Sequence, residues 1–577
     1  MHDKILRVNM TDLSTVVEPV PAAWIGHGGR GLTSTIVAAE VPPTCDPLGP
    51  RNKLVFAPGL LSGTTAANSG RLSAGAKSPL TGTIKESNAG GTSAQAFARM
   101  GIKALILEGM PEGDTWYGLH LGRDGVSIKE ERELIGLGNF AVVKALEKRL
   151  AKKVGVIAIG PAGELRMNLA NISVKDPDGK LRSHGRGGLG AVMGSKRIKF
   201  IAVDAEGAPP VELADPEKFK AAADVFASAL SAHPVSGQVL PTYGTGVLVN
   251  VMNEAGGLPT RNFKYGQFEA HESISGERLR ETMIARGRKT RRGCHSGCIV
   301  QCSKTFTDEE GNYITSGFEY PTIWGFGANC CIEDLNAIAR LDGLMDDIGC
   351  DSIETAVTFA VAMEAGVLSF GDGKRAIEIL DVDVREGTPL GRVLGGGAAL
   401  AGKAYGLTRV PVVKGQGIPA YDPRSVKGIG VTYCTSTMGA DHTAGYSVAM
   451  NILRVGGCVD PLEKEGQVEL SRNLQIATAA VDSTGLCLFI AFPALDLPEC
   501  LPAVVDMIDA RFGICLEIED VVSLGKYVLK TEHDFNTRAG FTRAHDRLPE
   551  FFEYEPLPPH GAVWDFTPEE LDAFWDF

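Results

Sequence analysis

The chain has 577 residues, a formal charge of −13 and twelve cysteines, with 44% hydrophobic and 22% charged residues. That length corresponds to roughly three or four globular units at ~150 residues each, and the acidic balance argues against a nucleic-acid partner or a polybasic membrane-surface protein. No apolar run reaches the ~18 residues of a membrane span.

The start, Met-His-Asp-Lys-Ile-Leu-Arg, is charged at once and lacks the apolar core of a signal peptide. The longest apolar candidate, between Ser483 and Leu495, is short and interrupted by Gly485 and Pro493. Twelve cysteines without an export signal imply a reducing compartment, so the expectation is a cytoplasmic protein with no membrane span. Glycine is enriched, 70 of the 577 residues, about 12% against a usual ~7%. These glycines sit in motifs rather than low-complexity runs, which suggests close backbone approach to something bulky.

In chain order, the fold class expected is α+β: a β-rich first domain, 1–208, and two mainly helical ones, 209–408 and 409–577. Short apolar or alternating runs at 4–10, 53–57, 104–108, 154–159 and 198–203 predict strands, and 140–152 is the better early helix. Glycine-rich turns are expected at 27–31, 68–71, 86–91 and 185–190. Gly207, Pro209 and Pro210 mark a linker, after which Asp215 and Pro216 read as N-cap and first helical residue. Apolar spacing predicts helices over 219–232, 277–285, 333–345 and 353–365. A second joint, rich in Gly and Pro, falls around 406–421.

One echo links the two helical parts. Asp346-Asp347-Ile348-Gly349-Cys350-Asp351 and Asp482-Ser483-Thr484-Gly485-Leu486-Cys487 share the pattern Asp-x-x-Gly-x-(Asp/Cys). Asp351-Ser352-Ile353-Glu354 also reads as the N-cap of the next helix.

The densest chemistry is Gly293-Cys294-His295-Ser296-Gly297-Cys298-Ile299-Val300-Gln301-Cys302. On one continuous helix Cys294 and Cys302 would be about 12 Å apart at 1.5 Å per residue, so a tight loop turned by Gly293 and Gly297 is expected. Three thiolates need a fourth ligand. Zinc including His295 is one alternative, though no nearby ligand at finger spacing completes it; Cys487 would complete a four-thiolate iron–sulfur cluster. Gly185–Gly190 formally matches Gly-x-Gly-x-x-Gly, but residues 176–180 are no strand, so a dinucleotide reading is weak. What remains is a run of backbone amides flanked by Arg182, Arg186 and Lys196, suited to an anion. Arg71 and Asn88 could be ordinary turn residues; with Arg186 they suit a phosphorylated heterocycle lying flat on the backbone. Glu319 and His442 taken alone would usually be structural.

Together these residues resemble the aldehyde:ferredoxin oxidoreductase family of tungsten enzymes. The resemblance runs through Gly28-Gly29-Arg30-Gly31, Asp46-Pro47-Leu48-Gly49-Pro50, Lys77-Ser78-Pro79-Leu80-Thr81-Gly82, Gly185–Lys196, the clustered cysteines, Tyr421-Asp422-Pro423-Arg424, Gly439–His442 and Asp482–Cys487. It implies tungsten, or less often molybdenum, held by two pyranopterins whose phosphates are bridged by magnesium. It assigns Arg71, Asn88, Gly90 and Arg186 to pterin or phosphate, and the carbonyls of Asn88 and Gly187 to magnesium. Asp346, Gly349 and Asp351 would grip one pterin and Asp482, Gly485 and Leu486 the other. Cys294, Cys298, Cys302 and Cys487 would bind a [4Fe-4S] cluster. Glu319 is implied as general base and His442 as the donor to the substrate carbonyl. The chain departs from the family at two points: Cys-x3-Cys-x3-Cys replaces the usual Cys-x2-Cys-x3-Cys, and Cys350 stands where Leu is common.

The implied activity is oxidation of an aldehyde to a carboxylic acid, or the reverse, with a ferredoxin or ferredoxin-like acceptor. Alternatives are the catalytic subunit of a tungsten-dependent acyl or aromatic reductase complex, or an iron–sulfur electron-transfer subunit without metal–pterin chemistry. A homo-oligomer or larger complex is compatible with either. Tyr421, Trp324 and Phe326 are candidates for the pocket walls.

Overall fold

A computed structural model describes residues 3–123, 125–150 and 152–577. Its first two hundred residues form two six-stranded sheets. The first has the order Ser14–Pro19, Lys4–Asn9, Ile102–Glu108, Leu54–Pro58, Leu72–Lys77, Ile84–Ala89; the second runs Leu181–His184, Ile172–Lys175, Gly155–Ala158, Ile198–Val203, Tyr117–Gly122, Gly125–Glu130. Each is antiparallel except for one parallel pair, Lys4–Asn9 beside Ile102–Glu108 and Ile198–Val203 beside Tyr117–Gly122.

The period of two along a strand decides what packs where. Leu6, Val8, Leu54, Phe56, Leu105 and Leu107 point between the sheets, against Leu119, Ile157, Ile172 and Ile201 of the second. Ile5, Val55, Ala57, Ala104 and Ile106 face the other way, onto Leu32, Ile36 and Val37 of the helix Gly29–Glu40. A sheet covered on both faces reads as continuous apolar runs, which is why the expected strands at 4–10, 53–57 and 104–108 match observed ones.

Three expectations need correction. The stretch 86–91 is not a turn over most of its length, because residues 86–89 pair with residues 72–75 inside the strand Ile84–Ala89. The stretch 27–31 is not simply a turn, because Gly29 starts the helix Gly29–Glu40. And Gly185–Gly190 does lie between a strand, Leu181–His184, and a helix, Leu189–Ser195. That strand closes an antiparallel hairpin with Ile172–Lys175, so a βαβ dinucleotide unit is still absent there.

From residue 216 helices dominate, and a small β-hairpin pairs Phe306–Thr307 with Tyr313–Thr315. The Asp215 carboxylate accepts the Lys218 amide (2.9 Å) and Pro216 is the first helical residue of Pro216–Ala232. The helices Gly276–Ala285, Leu335–Ile348 and Ser352–Glu364 fall close to the predicted ranges. Their large apolar core joins Phe263, Trp324 and Phe359 to Tyr421, Tyr433 and Trp564. The longest helix, Ile518–Arg538, packs on Gln467–Thr484 and on Gly29–Glu40, tying the C-terminal part to the first sheet. No helix among the described residues is long and apolar enough to cross a membrane.

Candidate functional site

The two echoed motifs occupy equivalent places in the fold. Helix Leu335–Ile348 ends at Gly349 (φ +83°) and helix Gln467–Thr484 at Gly485 (φ +82°), both left-handed C-caps where glycine carries no Cβ penalty. Each glycine packs on another from the β-rich part: a Cβ on Gly349 would lie 3.0 Å from the Gly160 amide, and one on Gly485 3.0 Å from the Gly59 Cα. Asp346 and Asp482 stand three residues before these caps. Asp351 and Cys487 stand two after, each capping the next helical segment, and the Asp351 carboxylate accepts the Ile353 amide at 2.9 Å. The first motif thus presses on the second sheet and the second motif on the first.

Between them lies a cavity of about 1040 Å³. Arg71, Asn88, Gly90, Arg186, Asp346, Asp351 and Asp482 line it, with Glu319, His442 and all four predicted cysteines. Gly187, Gly349, Gly485 and Leu486 are not in its wall; the three glycines set backbone turns behind it and Leu486 is buried in a hydrophobic cluster. Lys196 is also elsewhere, its ammonium bound to the carbonyls of Asn52 (2.7 Å) and Gly109 (3.2 Å). Trp324 and Phe326 belong to the helical core rather than to the wall, whereas Tyr421 lines the cavity.

Three buried arginines, Arg30, Arg182 and Arg186, and the half-buried Arg71 face this space. Arg186 is largely spent on the protein, reaching Asp351 (3.2 Å) and the carbonyls of Ala440 (2.6 Å) and Gly417 (2.8 Å). Arg71 Nε and Arg182 Nη2, by contrast, are buried without a hydrogen-bond partner, while Arg182 Nε has only an ion-pair approach to Asp176 at 3.5 Å. Buried donors left unmet cost about 1–3 kcal/mol each, so their convergence on the cavity suits an anionic group. Arg182 is one of the cations expected beside an anion, and Arg30 lies in the Gly28-Gly29-Arg30-Gly31 motif, to which the sequence alone assigns no role; both line the cavity.

The cysteine loop converges less tightly than its spacing predicts. Cys294, His295 and Cys298 bring one ligand atom each to within 4.8 Å of one another. Cys302 and Cys487 line the same cavity but lie outside that group. Gly297 supplies the left-handed turn (φ +81°). Asn68 staples the loop to the second motif, and Arg71 Nη2 lies 3.5 Å from Cys487 Sγ. A hydrogen bond with Cys298 holds the Cys294 thiol well below its usual range, while burial pushes Cys302 up.

Glu319 precedes the helix Tyr320–Phe326 and has no hydrogen-bond partner for its carboxylate among the described residues. Burial raises its pKa, against the pull of Arg182 and Arg71. His442 follows Asp441, whose carboxylate takes the Lys85 ammonium at 3.1 Å. Burial lowers the His442 imidazole to about 4, so it is neutral near pH 7, and its Nδ1 is buried without a partner. Tyr421 and Tyr446 stand beside it with ring centroids 5.8 and 6.4 Å away, their hydroxyls 2.9 Å apart. Tyr446 lacked any sequence signal.

Similarity to known proteins extends along nearly the whole chain. The family described as "Aldehyde ferredoxin oxidoreductase, N-terminal domain" matches residues 5–205, and "Aldehyde ferredoxin oxidoreductase, domains 2 & 3" matches 221–576. The chain is 35% identical to a tungsten-containing aldehyde ferredoxin oxidoreductase of Thermococcus kodakarensis over 576 residues, covering 96% of this chain and 92% of the relative. It is 33% identical to the enzyme so named in Pyrococcus furiosus, with the same coverage. An aliphatic sulfonate oxidoreductase, WOR-like subunit, also of Pyrococcus furiosus, is 27% identical over 72% of this chain and 70% of its own. In fold, the active-site complex BamBC of benzoyl coenzyme A reductase with 1,5-dienoyl-CoA superposes at a TM-score of 0.80, covering 99% of this chain and 93% of that one at 20% identity. Two family matches that between them leave little of the chain uncovered, with 35% identity to a named member over nearly its whole length, make this chain a member of the aldehyde ferredoxin oxidoreductase family.

Proposed function

We propose that the chain is a tungsten–pterin oxidoreductase that converts an aldehyde and water to a carboxylic acid, two protons and two electrons, or runs the reverse. The observation that carries this reading is the cavity itself: Glu319, His442, both helix-end motifs and four cysteines share one wall. Tungsten, with molybdenum as the chemical substitute, held by two pyranopterins, supplies the two-electron redox chemistry when bound.

The residues fit such a group. Arg71 and Arg182 offer unmet buried donors to phosphate or pterin, and Gly90 gives clearance, since a Cβ there would meet Cys294 Sγ at 2.8 Å. Asn88, Asp346, Asp351 and Asp482 would hold pterin edges. Gly349, Gly485 and Leu486 would set the backbone of the two grips, and Arg186 would brace Asp351 from behind. Cys294, Cys298, Cys302 and Cys487 would hold a [4Fe-4S] cluster, a four-thiolate set. For magnesium the support is chemical: the carbonyls of Asn88 and Gly187, which accept from Arg71 (3.5 Å) and from Ser78 (2.7 Å), are the oxygen ligands a hard cation prefers.

Within that pocket a neutral His442 donates to the substrate carbonyl oxygen and makes its carbon more electrophilic. Glu319, without a protein partner and raised in pKa, takes a proton from water. The electrons leave to a ferredoxin or ferredoxin-like partner, and the subunit named among the relatives favours work within a larger assembly. The division at 208 and 408 assigns the first domain as cofactor base and the other two as carriers of one grip each.

Anaerobic purification with elemental analysis, followed by an aldehyde and acid panel with a low-potential dye, tests the reading. Tungsten or molybdenum together with iron, and aldehyde-dependent dye reduction, are expected. Iron alone would return the electron-transfer alternative. An aryl or acyl thioester reduced in place of any aldehyde would return the reductase alternative, whose fold likeness is noted above.

A further inference from the structure

His295 follows the first cysteine and has no assigned part in the cluster motif, yet it is buried directly behind Cys294, which lines the cavity. Its ring is 3% exposed and its Nδ1 lies 3.2 Å from Cys294 Sγ. The slot for the ring exists because residue 70 is glycine: a Cβ at Gly70 would lie 2.5 Å from both Cδ2 and Cγ of the imidazole. Gly70 sits between Ser69 and Arg71, in the same segment that supplies Asn68 to the loop and Arg71 to Cys487. The other ring nitrogen, Nε2, is buried without a partner. Among the described residues the Cys294 sulfur is therefore the only hydrogen-bond partner of this side chain, and a buried imidazole normally finds partners at both ends.

We propose that His295 is a positioning residue that donates Nδ1–H to the Cys294 thiolate and thereby raises the reduction potential of the cluster, without being a metal ligand. This rests on the cluster reading given above. An N–H···S bond draws electron density from a ligating thiolate and favours the reduced cluster, whose sulfurs carry more negative charge; hydrogen bonds to the sulfurs are one of the protein's means of setting such potentials. Ligation through Nδ1 is the competing chemistry. It would form a Cys294–His295–Cys298 set that lacks the fourth protein ligand of a closed structural site among the described residues, while four cysteines already line the cavity.

The test compares anaerobically purified wild type, His295→Ala and His295→Asn by iron content and by an EPR-monitored redox titration of the cluster at one pH. With the iron content of wild type, the midpoint of His295→Ala is expected to move to a more negative potential. His295→Asn, whose amide nitrogen can occupy the place of Nδ1, is expected to recover most of the shift. An unchanged midpoint in His295→Ala overturns the proposal, as does loss of iron in His295→Ala that His295→Asn does not restore, which would mark a ligand. If His295→Ala does not accumulate, pulsed EPR of reduced wild type labelled with ¹⁵N-histidine decides: weak coupling to one histidine nitrogen supports the hydrogen bond, and directly coordinated nitrogen or no coupling excludes it. A wild type holding no iron–sulfur cluster at all overturns the cluster reading itself, a failure distinct from an unshifted midpoint.

Discussion

The amide of Cys487 donates to the carbonyl of Asn68 at 2.9 Å, and the side-chain oxygen of the same asparagine accepts the amide of Ile299 at 2.8 Å. The Asn68 amide in turn donates to the Gly297 carbonyl (3.1 Å). One buried residue of the β-rich part thus joins the cysteine loop to the second helix-end motif. It does so at φ +58°, a left-handed conformation that asparagine tolerates better than most side chains. Asn68→Ala leaves the Ile299 amide unmet, about 1–3 kcal/mol, and adds about 1–2 kcal/mol of left-handed strain. The expected outcome is lower stability in chemical denaturation and a reduced iron content. Asn68→Gly removes the strain but not the missing acceptor, so it should recover only part of both.

Glu319→Gln keeps the volume of the side chain and removes the base. Turnover is expected to fall by roughly 10²- to 10⁴-fold while tungsten and iron contents stay at wild-type values. Because burial raises the Glu319 pKa, the base is lost by protonation as pH falls through that raised value. The rate of wild type should therefore decline on the acid side, at a pH above the ordinary carboxylate range. The amide variant should lack this limb. A Glu319→Gln enzyme as fast as wild type would remove glutamate from the chemistry.

His442 makes a contrasting prediction. Burial holds its imidazole near pKa 4, so it is a neutral donor from pH 5 upward and should contribute no limb to the rate profile there. His442→Phe removes the donor and is expected to lower turnover about 10²- to 10³-fold, as deletion of one preorganised oxyanion donor does. Steady-state kinetics at pH 5–8 with a fixed aldehyde measures both statements. A basic-side loss that disappears in His442→Phe would show that the charged imidazole matters instead.

What the sequence disclosed and what it hid follow from how local the cause is. The strands Ile102–Glu108 and Ile198–Val203 are apolar on both faces and announce themselves. Leu72–Lys77 and Ile84–Ala89 do not, because their sequences, LSAGAK and IKESNA, hold few large apolar residues, and the buried Lys85 ammonium is met by Asp441, 356 residues away. Asp346–Gly349 and Asp482–Gly485 are legible because a glycine C-cap is a local device. The unmet donors of Arg71 and Arg182, and Tyr446 beside Tyr421, depend on distant segments meeting at the cavity, which no spacing encodes. The resemblance placed the site residues in order along the chain, but only the fold separates those in the wall from Gly187, Gly349, Gly485 and Leu486 behind it.

Arg30 and Glu532 give the last prediction. Arg30 Nε and Nη2 meet the two oxygens of Glu532 at 3.0 and 2.8 Å, and the same carboxylate accepts from Ser34 (2.7 Å) and Thr437 (2.6 Å). Burial alone would raise the Glu532 carboxyl, yet Arg30 and these hydroxyls hold it below the usual range. A depressed folded-state pKa contributes stability above the unfolded value, near 4.3, that is lost as pH falls through the folded one. Arg30→Met leaves a buried carboxylate uncompensated and should cost about 3–5 kcal/mol at pH 7. Arg30→Met with Glu532→Leu removes both charges and should recover much of that loss. Chemical denaturation at pH 7 and again near pH 4 checks the pair: the gap between wild type and the double variant should narrow or reverse at the lower pH. A single variant as stable as wild type at pH 7 would mean that the Glu532 carboxylate is not confined by Arg30.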